Sequence, residues 1–215
     1  MQECKLSFDS FWKTTLTDFE AFNQDALQMT KFVTSIINPL SIDVITHCGT
    51  YMSKRLGNPE WLDPLKEHVF NATAQLLPEP FNNKNDYLFD AWINLSGKDD
   101  YQAIHNHAPR ETTSEEIEGT VEAPMLCIMS GTYGLQIIDG HGGLFFWNEY
   151  YSNCFKTLIL KQPEKIKVDY RSGECILFSP YTYHSTGMNM IDQKRISLSF
   201  NVMVEPNPIV LNNQI

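Results

Sequence analysis

The sequence predicts a mainly β fold, a jelly-roll core with N-terminal helices packed against it. Two observations predict it. Helical periodicity is confined to the first eighty or so residues, and from Tyr87 onward the chain becomes short β-rich runs separated by turn residues. Strands in series, without intervening helices, suit a sandwich or barrel and not a parallel α/β sheet.

In chain order, Thr17 and Glu20 form a capping-box pattern, each side chain able to satisfy a backbone N–H of a first helical turn. Behind it Phe19, Phe22, Ala26, Met29, Val33 and Ile36 recur at three- and four-residue steps, one apolar helix face that Asn38-Pro39 ends. Residues 42–56 read as a further short helix. Asn58-Pro59-Glu60 opens the next, with Asn58 as cap and Pro59 at the first helical position. Its stripe is Trp61, Leu65, Val69, Ala72 and Leu76, and Pro78 and Pro80 stop it.

The expected strands are Tyr87–Leu95, Tyr101–His107, Pro124–Ser130, Tyr133–Ile138, Gly143–Trp147, Phe155–Leu160, Ile166–Tyr170, Glu174–Ser179 and Arg195–Val204. Asp139-Gly140 and His141-Gly142-Gly143 mark a hairpin connection, and the polar, acidic residues 110–122 a long loop. The organisation expected is a helical extension over 1–84, a β core over 85–206 and a peripheral tail over 207–215.

A net charge of −10 argues against binding a phosphate backbone, which needs clustered Lys and Arg. Hydrophobic residues at 42% and charged residues at 20% exclude wholesale disorder. Five scattered cysteines without a CxxC pair argue against a disulfide scaffold or zinc ribbon. The N-terminus has no charged region followed by an apolar one, and no apolar run approaches a membrane span, so a cytoplasmic location is expected. No GxSxG, GxxxxGKS or GxGxxG run supports a serine hydrolase, P-loop or dinucleotide reading.

Chemistry concentrates in the histidines. His105 and His107 stand two apart on an expected strand, so both imidazoles share one face with α-carbons about 6.6 Å apart. Two rings so placed can converge on one metal ion at about 2.1 Å. His184 follows a glycine turn at Gly173, an apolar strand and a proline stop at Pro180. In Arg195-Ile196-Ser197-Leu198-Ser199-Phe200, alternation puts Arg195, Ser197 and Ser199 on one face and the apolar residues on the other. A guanidinium on such a strand needs a partner, and its fork suits a carboxylate, from a ligand or from the protein.

Together these residues resemble the signature of the 2-oxoglutarate/Fe(II)-dependent dioxygenases: His-x-acid or His-x-His, a distant His, and an Arg-x-Ser beyond it. Trp92-Ile93-Asn94 ahead of His105-Asn106-His107 narrows the resemblance to a subgroup, of bacterial and phage type, with a W-x-N strand followed by H-x-H. The similarity runs from Tyr87 to Val204. The resemblance implies a double-stranded β-helix (the jelly-roll, cupin-like barrel), Fe(II) as the metal and 2-oxoglutarate as cosubstrate. It makes His105 and His184 metal ligands, with His107 as the third ligand or a residue supporting one. Arg195, aided by Ser197, would grip the distal carboxylate of 2-oxoglutarate, and Trp92 and Asn94 would line the cosubstrate side. The expected substrate is a small molecule or a peptide, hydroxylated with release of succinate and CO2.

Most superfamily members carry Asp or Glu where this chain has His107. A cupin-type metalloprotein without 2-oxoglutarate is the alternative, with Glu111 after the H-x-H pair as a possible ligand. A second alternative is a non-catalytic jelly roll using Tyr133, Trp147, Tyr150 and Tyr151 as a sugar-stacking surface. His47-Cys48, His68 and His141 read as structural, the last as turn chemistry.

Overall fold

A computed structural model describes residues 1–5, 10–36, 50–53, 55–107, 125–147 and 165–205. Its spine is the strand Arg195–Val204, which in chain order is β11. Four strands build the large sheet around it: β4 (Leu88–Ser96), β6 (Leu126–Gln136), β9 (Glu174–Phe178) and β2 (Ser10–Thr15). The short edge strands β1 (Gln2–Lys5) and β3 (Tyr51–Met52) complete it, in the order β1-β2-β9-β6-β11-β4-β3. The small sheet contains β5 (Gln102–His105), β10 (His184–Thr186), β7 (Leu144–Trp147) and β8 (Lys165–Val168), in the order β5-β10-β7-β8. All pairings are antiparallel.

Alternation on β11 sorts its residues as expected. Leu198, Phe200 and Val202 join the core under the helices, while Ser197, Ser199 and Asn201 line a cavity between the sheets. Two helices, α1 (Phe19–Ile36) and α2 (Asp63–Leu76), cover the outer face of the large sheet. Phe22 and Ala26 of α1 and Leu65, Val69 and Ala72 of α2 meet Ile93, Tyr133 and Phe200 there. Tyr133 also donates its hydroxyl to Asn23 of α1 at 2.7 Å, so the helix is fixed by a polar contact inside the apolar layer. Between the sheets, Phe146 of the small sheet packs on Phe11 and Phe178 of the large one, with centroids 5.2 and 5.1 Å apart.

Several expectations need correction. The first 84 residues are not purely helical: β1 and β2 extend the large sheet through β9. Where a helix was expected over 42–56, Tyr51 and Met52 form an edge strand on β4 instead. Asn58-Pro59 opens a short 3₁₀ turn, Glu60–Leu62, and α2 starts after it with its own proline in the first turn. The two strands expected around Gly131 are one, β6, because this glycine is a site of close approach and not a turn. A Cβ there would lie 2.6 Å from the Ile176 carbonyl oxygen.

Residues 110–122 with Glu111, the strand expected at 155–160, Tyr150, Tyr151, His47, Cys48 and the tail 207–215 lie outside the described residues. Cys127 and Cys175 are free and buried. Among the described residues no helix is long and apolar enough to cross a membrane.

Candidate active site

The cavity between the sheets has a volume of about 380 Å³, and His105, His107 and His184 all line it. His105 closes β5 and His184 opens β10, and the two are directly opposed in register. His107 lies just past β5, where its backbone N–H donates to the Pro180 carbonyl at 2.8 Å and holds it beside the loop leading to His184. One ring nitrogen from each histidine falls within 4.8 Å of the others. The register of β5 against β10, with His107 held just past β5, thus brings together the three residues expected to meet.

The hydrogen bonds of these rings decide which nitrogen can act. Nδ1 of His105 lies 2.8 Å from the Ala103 carbonyl oxygen, and Nδ1 of His184 lies 3.0 Å from that of Thr182. Nδ1 of His107 lies 2.8 Å from Oδ1 of Asn201. A carbonyl oxygen only accepts, so each Nδ1 carries the proton and Nε2 is the nitrogen each ring can offer to a cation. Burial favours the neutral rings that a metal needs. It pushes the His107 pKa down to about 4, with the neighbouring His105 adding to the effect. It holds His184 well below the ordinary imidazole value for the same reason, with His105 and His107 contributing.

Ser197 and Trp92, both expected at the site, line the cavity. Asn94 does not line it but braces two residues that do, donating to Ser199 at 2.7 Å and accepting from Gln102 at 3.4 Å. Arg195 is buried, only 3% exposed, and sits behind the cavity wall. Its Nη1 donates to the carbonyls of His141 and Gly187 at 2.7 and 2.8 Å, and its Nη2 to the hydroxyls of Ser96 and Thr186 at 3.0 and 2.8 Å. Among the described residues no carboxylate is within ion-pair distance of it. Burial lowers its pKa, opposed by Tyr170 and Asp100.

Residues that sequence reasoning missed complete the wall. Tyr170 interacts electrostatically with Arg195 and hydrogen-bonds Thr132 and Ser197. Arg55 stacks over Trp92, its guanidinium carbon 3.8 Å from the ring centroid, and pairs with Asp90 at 3.3 Å. No local motif announces these residues, since strand register assembles them. His141, read as turn chemistry, is a buried turn residue whose Nδ1 accepts the Ile138 N–H at 3.2 Å. Tyr133 is fully buried and offers no stacking surface.

No family model and no curated protein matches the chain. Solved structures do match. A Pseudomonas putida prolyl-4-hydroxylase is 13% identical with a TM-score of 0.58, covering 92% of this chain and 93% of its own. The epimerase SnoN from nogalamycin biosynthesis, in complex with Fe3+, alpha-ketoglutarate and nogalamycin RO, is 14% identical with a TM-score of 0.62, covering 96% and 86%. A Trichoplax adhaerens prolyl hydroxylase bound to a hypoxia-inducible-factor peptide is 13% identical with a TM-score of 0.60, covering 91% and 84%. This chain therefore has the double-stranded β-helix fold that these two hydroxylases and the alpha-ketoglutarate-dependent epimerase share.

Proposed function

We propose that the protein is an Fe(II)- and 2-oxoglutarate-dependent oxygenase that hydroxylates a small molecule or a peptide. One juxtaposition carries the reading. Strand β10 presents His184 and Thr186 to the same cavity, two residues apart, and Thr186 accepts a hydrogen bond from the buried Arg195. The α-carbons of His184 and Thr186 are thus about one strand repeat apart, roughly 6.6 Å, and the guanidinium lies one hydrogen bond of 2.8 Å beyond Thr186. A five-carbon dicarboxylate matches that separation, with a chelating end and a distal carboxylate.

The residues fit both groups. Three neutral imidazoles with their Nδ1 protons held by acceptors are a ligand set for a divalent transition metal. A buried cation with no carboxylate partner among the described residues favours an anionic ligand nearby. His105, His107 and His184 would hold the metal. The hydroxyls of Tyr170, Ser197 and Thr186 would receive the distal carboxylate, with the charge of Arg195 behind them. The backbone carbonyls of His141 and Gly187 fix the guanidinium, while Thr186 is its hydrogen-bond partner that faces the cavity.

When bound, Fe(II) with 2-oxoglutarate and O2 supplies oxidising power sufficient to hydroxylate an unactivated C–H, giving succinate and CO2. The protein's own part is orientation and exclusion of water. Trp92 and Phe178 provide apolar wall beside the histidines, and Arg55 and Met52 line the same cavity. Three neutral ligands leave the ion's double positive charge to be balanced by the cosubstrate. The net charge of −10 leans away from nucleic acid as substrate.

One observation favours the cupin-type reading without 2-oxoglutarate: Arg195 already has four of its five N–H donors engaged internally. The test is formation of succinate from 2-oxoglutarate with Fe(II) and O2. Succinate should form with the wild type and not with His184→Ala. Equal yields from the two would overturn the proposal.

A further inference from the structure

Behind His107 lies a chain of polar contacts that the proposed reaction does not use. Asn201 of β11 and Asp90 of β4 are register partners on the cavity side of the large sheet. Oδ1 of Asn201 accepts from Nδ1 of His107 at 2.8 Å and from the Ser130 hydroxyl at 2.8 Å. The same side chain hydrogen-bonds the Asp90 carboxylate, which only its amide nitrogen can do as donor. Asp90 is in turn paired with Arg55, whose guanidinium lies on Trp92. The amide orientation is thereby fixed from both sides: oxygen toward His107 and Ser130, nitrogen toward Asp90.

We propose that Asn201 is the positioning residue that makes His107 a metal ligand, by locking the ring in the Nδ1–H tautomer with Nε2 turned toward His105 and His184. This rests on the metal-binding reading above. His105 and His184 use the carbonyl of a residue two positions earlier for the same purpose, Ala103 and Thr182. His107 lies beyond its strand and takes its acceptor from a side chain on a different strand of the other sheet. That is why a histidine can occupy a position where relatives by resemblance use a carboxylate: an imidazole has two nitrogens and must be told which one to present, whereas a carboxylate needs no such instruction. Arg55 neutralises Asp90, so the chain acts by orientation and not by delivering charge to the metal.

The test has a metal-free and a metal-bound arm. In metal-free wild type, ring 15N shifts of His107, assigned through His107→Gln, should show Nδ1 protonated and Nε2 bare. In Asn201→Leu, which keeps bulk, removes the amide acceptor and frees the Ser130 hydroxyl, 3.1 Å from Nδ1, to donate to that nitrogen, the ring should move toward the Nε2–H tautomer. Mn(II) affinity should fall by about 10–100-fold. The exchanged pair Asn201→Asp with Asp90→Asn keeps an acceptor toward His107 and a donor behind it, and should restore both readouts. A merely structural role would not be rescued at the tautomer by that exchange. If wild type binds Mn(II) and Asn201→Leu, folded, matches it in tautomer and affinity, the positioning role is overturned while the metal site stands. If wild type binds no Mn(II), the metal reading fails and this inference with it.

Discussion

His105 and His184 are opposed in register across β5 and β10, and their ring centroids lie 4.3 Å apart. Residues opposed in an antiparallel pair project to the same face, so this pairing aims both imidazoles into one cavity without help from any loop. His107 joins them at centroid distances of 5.5 Å from His105 and 4.9 Å from His184. Removing either opposed ring should abolish the site. His105→Ala and His184→Ala are each expected to weaken Mn(II) binding by more than about 100-fold, beyond the loss from a supporting contact. Titration followed by the Mn(II) electron-spin signal checks this, and wild-type affinity in either variant would contradict it.

Arg195 should separate cosubstrate from metal. Arg195→Gln is expected to leave Mn(II) affinity alone while raising the 2-oxoglutarate requirement by about 100-fold, the loss of a charge-assisted pair. It should also cost stability, roughly 1–3 kcal/mol for each of the His141 and Gly187 carbonyls that loses its donor. Calorimetric titration in Mn(II) reads the first effect and urea unfolding the second. A variant that loses stability but binds 2-oxoglutarate normally would make Arg195 purely structural.

Acid should destabilise the metal-free protein through His107. Its pKa in the folded state is about 4, lowered by burial first and by His105 next, against about 6.5 in an unfolded chain. Above pH 6.5 both states are neutral there and nothing is contributed. As pH falls from 6.5 to 4 the unfolded state takes up the proton first, so stability falls across that window. His184 shifts in the same direction. Urea midpoints measured from pH 7 to 4 should decline in the wild type and decline less in His107→Gln. Parallel profiles would remove His107 from the account.

Gly131 tests the packing of the large sheet. A Cβ would lie 2.6 Å from the Ile176 carbonyl and press on the Phe200 ring, and backbone cannot yield as a side chain can. Gly131→Ala is expected to cost roughly 1–3 kcal/mol, seen as a lower urea midpoint at an unchanged slope. A neutral substitution would show that β6 and β9 tolerate separation.

Much of the fold and site was legible because it follows a period of two. His105 with His107, and Arg195 with Ser197 and Ser199, could be assigned to shared faces from spacing alone, and the cavity lining agrees for all but Arg195, which sits just behind the wall. What escaped depends on register between distant strands. Asn201 and Asp90 are unremarkable in sequence and meet only because β11 pairs with β4. Arg55 lies in a stretch whose neighbours Tyr51 and Met52 form a strand only by leaning on β4, with little intrinsic pattern of their own. Strand β2, with Phe11, Trp12 and two threonines, is rich in β-formers. It was overlooked because its partner β9 lies far along the chain. The break expected between Ser130 and Tyr133 is absent because Gly131 serves close approach inside a single strand.

The most direct test of the central claim is a paired titration of anaerobic, metal-stripped protein with Mn(II) and 2-oxoglutarate, each alone and in the presence of the other. If the three histidines and Arg195 form one metal–cosubstrate site, each ligand should tighten the other by the same factor, as linkage requires. That coupling should vanish in His184→Ala. Mn(II) binding that is indifferent to 2-oxoglutarate would contradict the oxygenase reading and leave a cupin-type metal site.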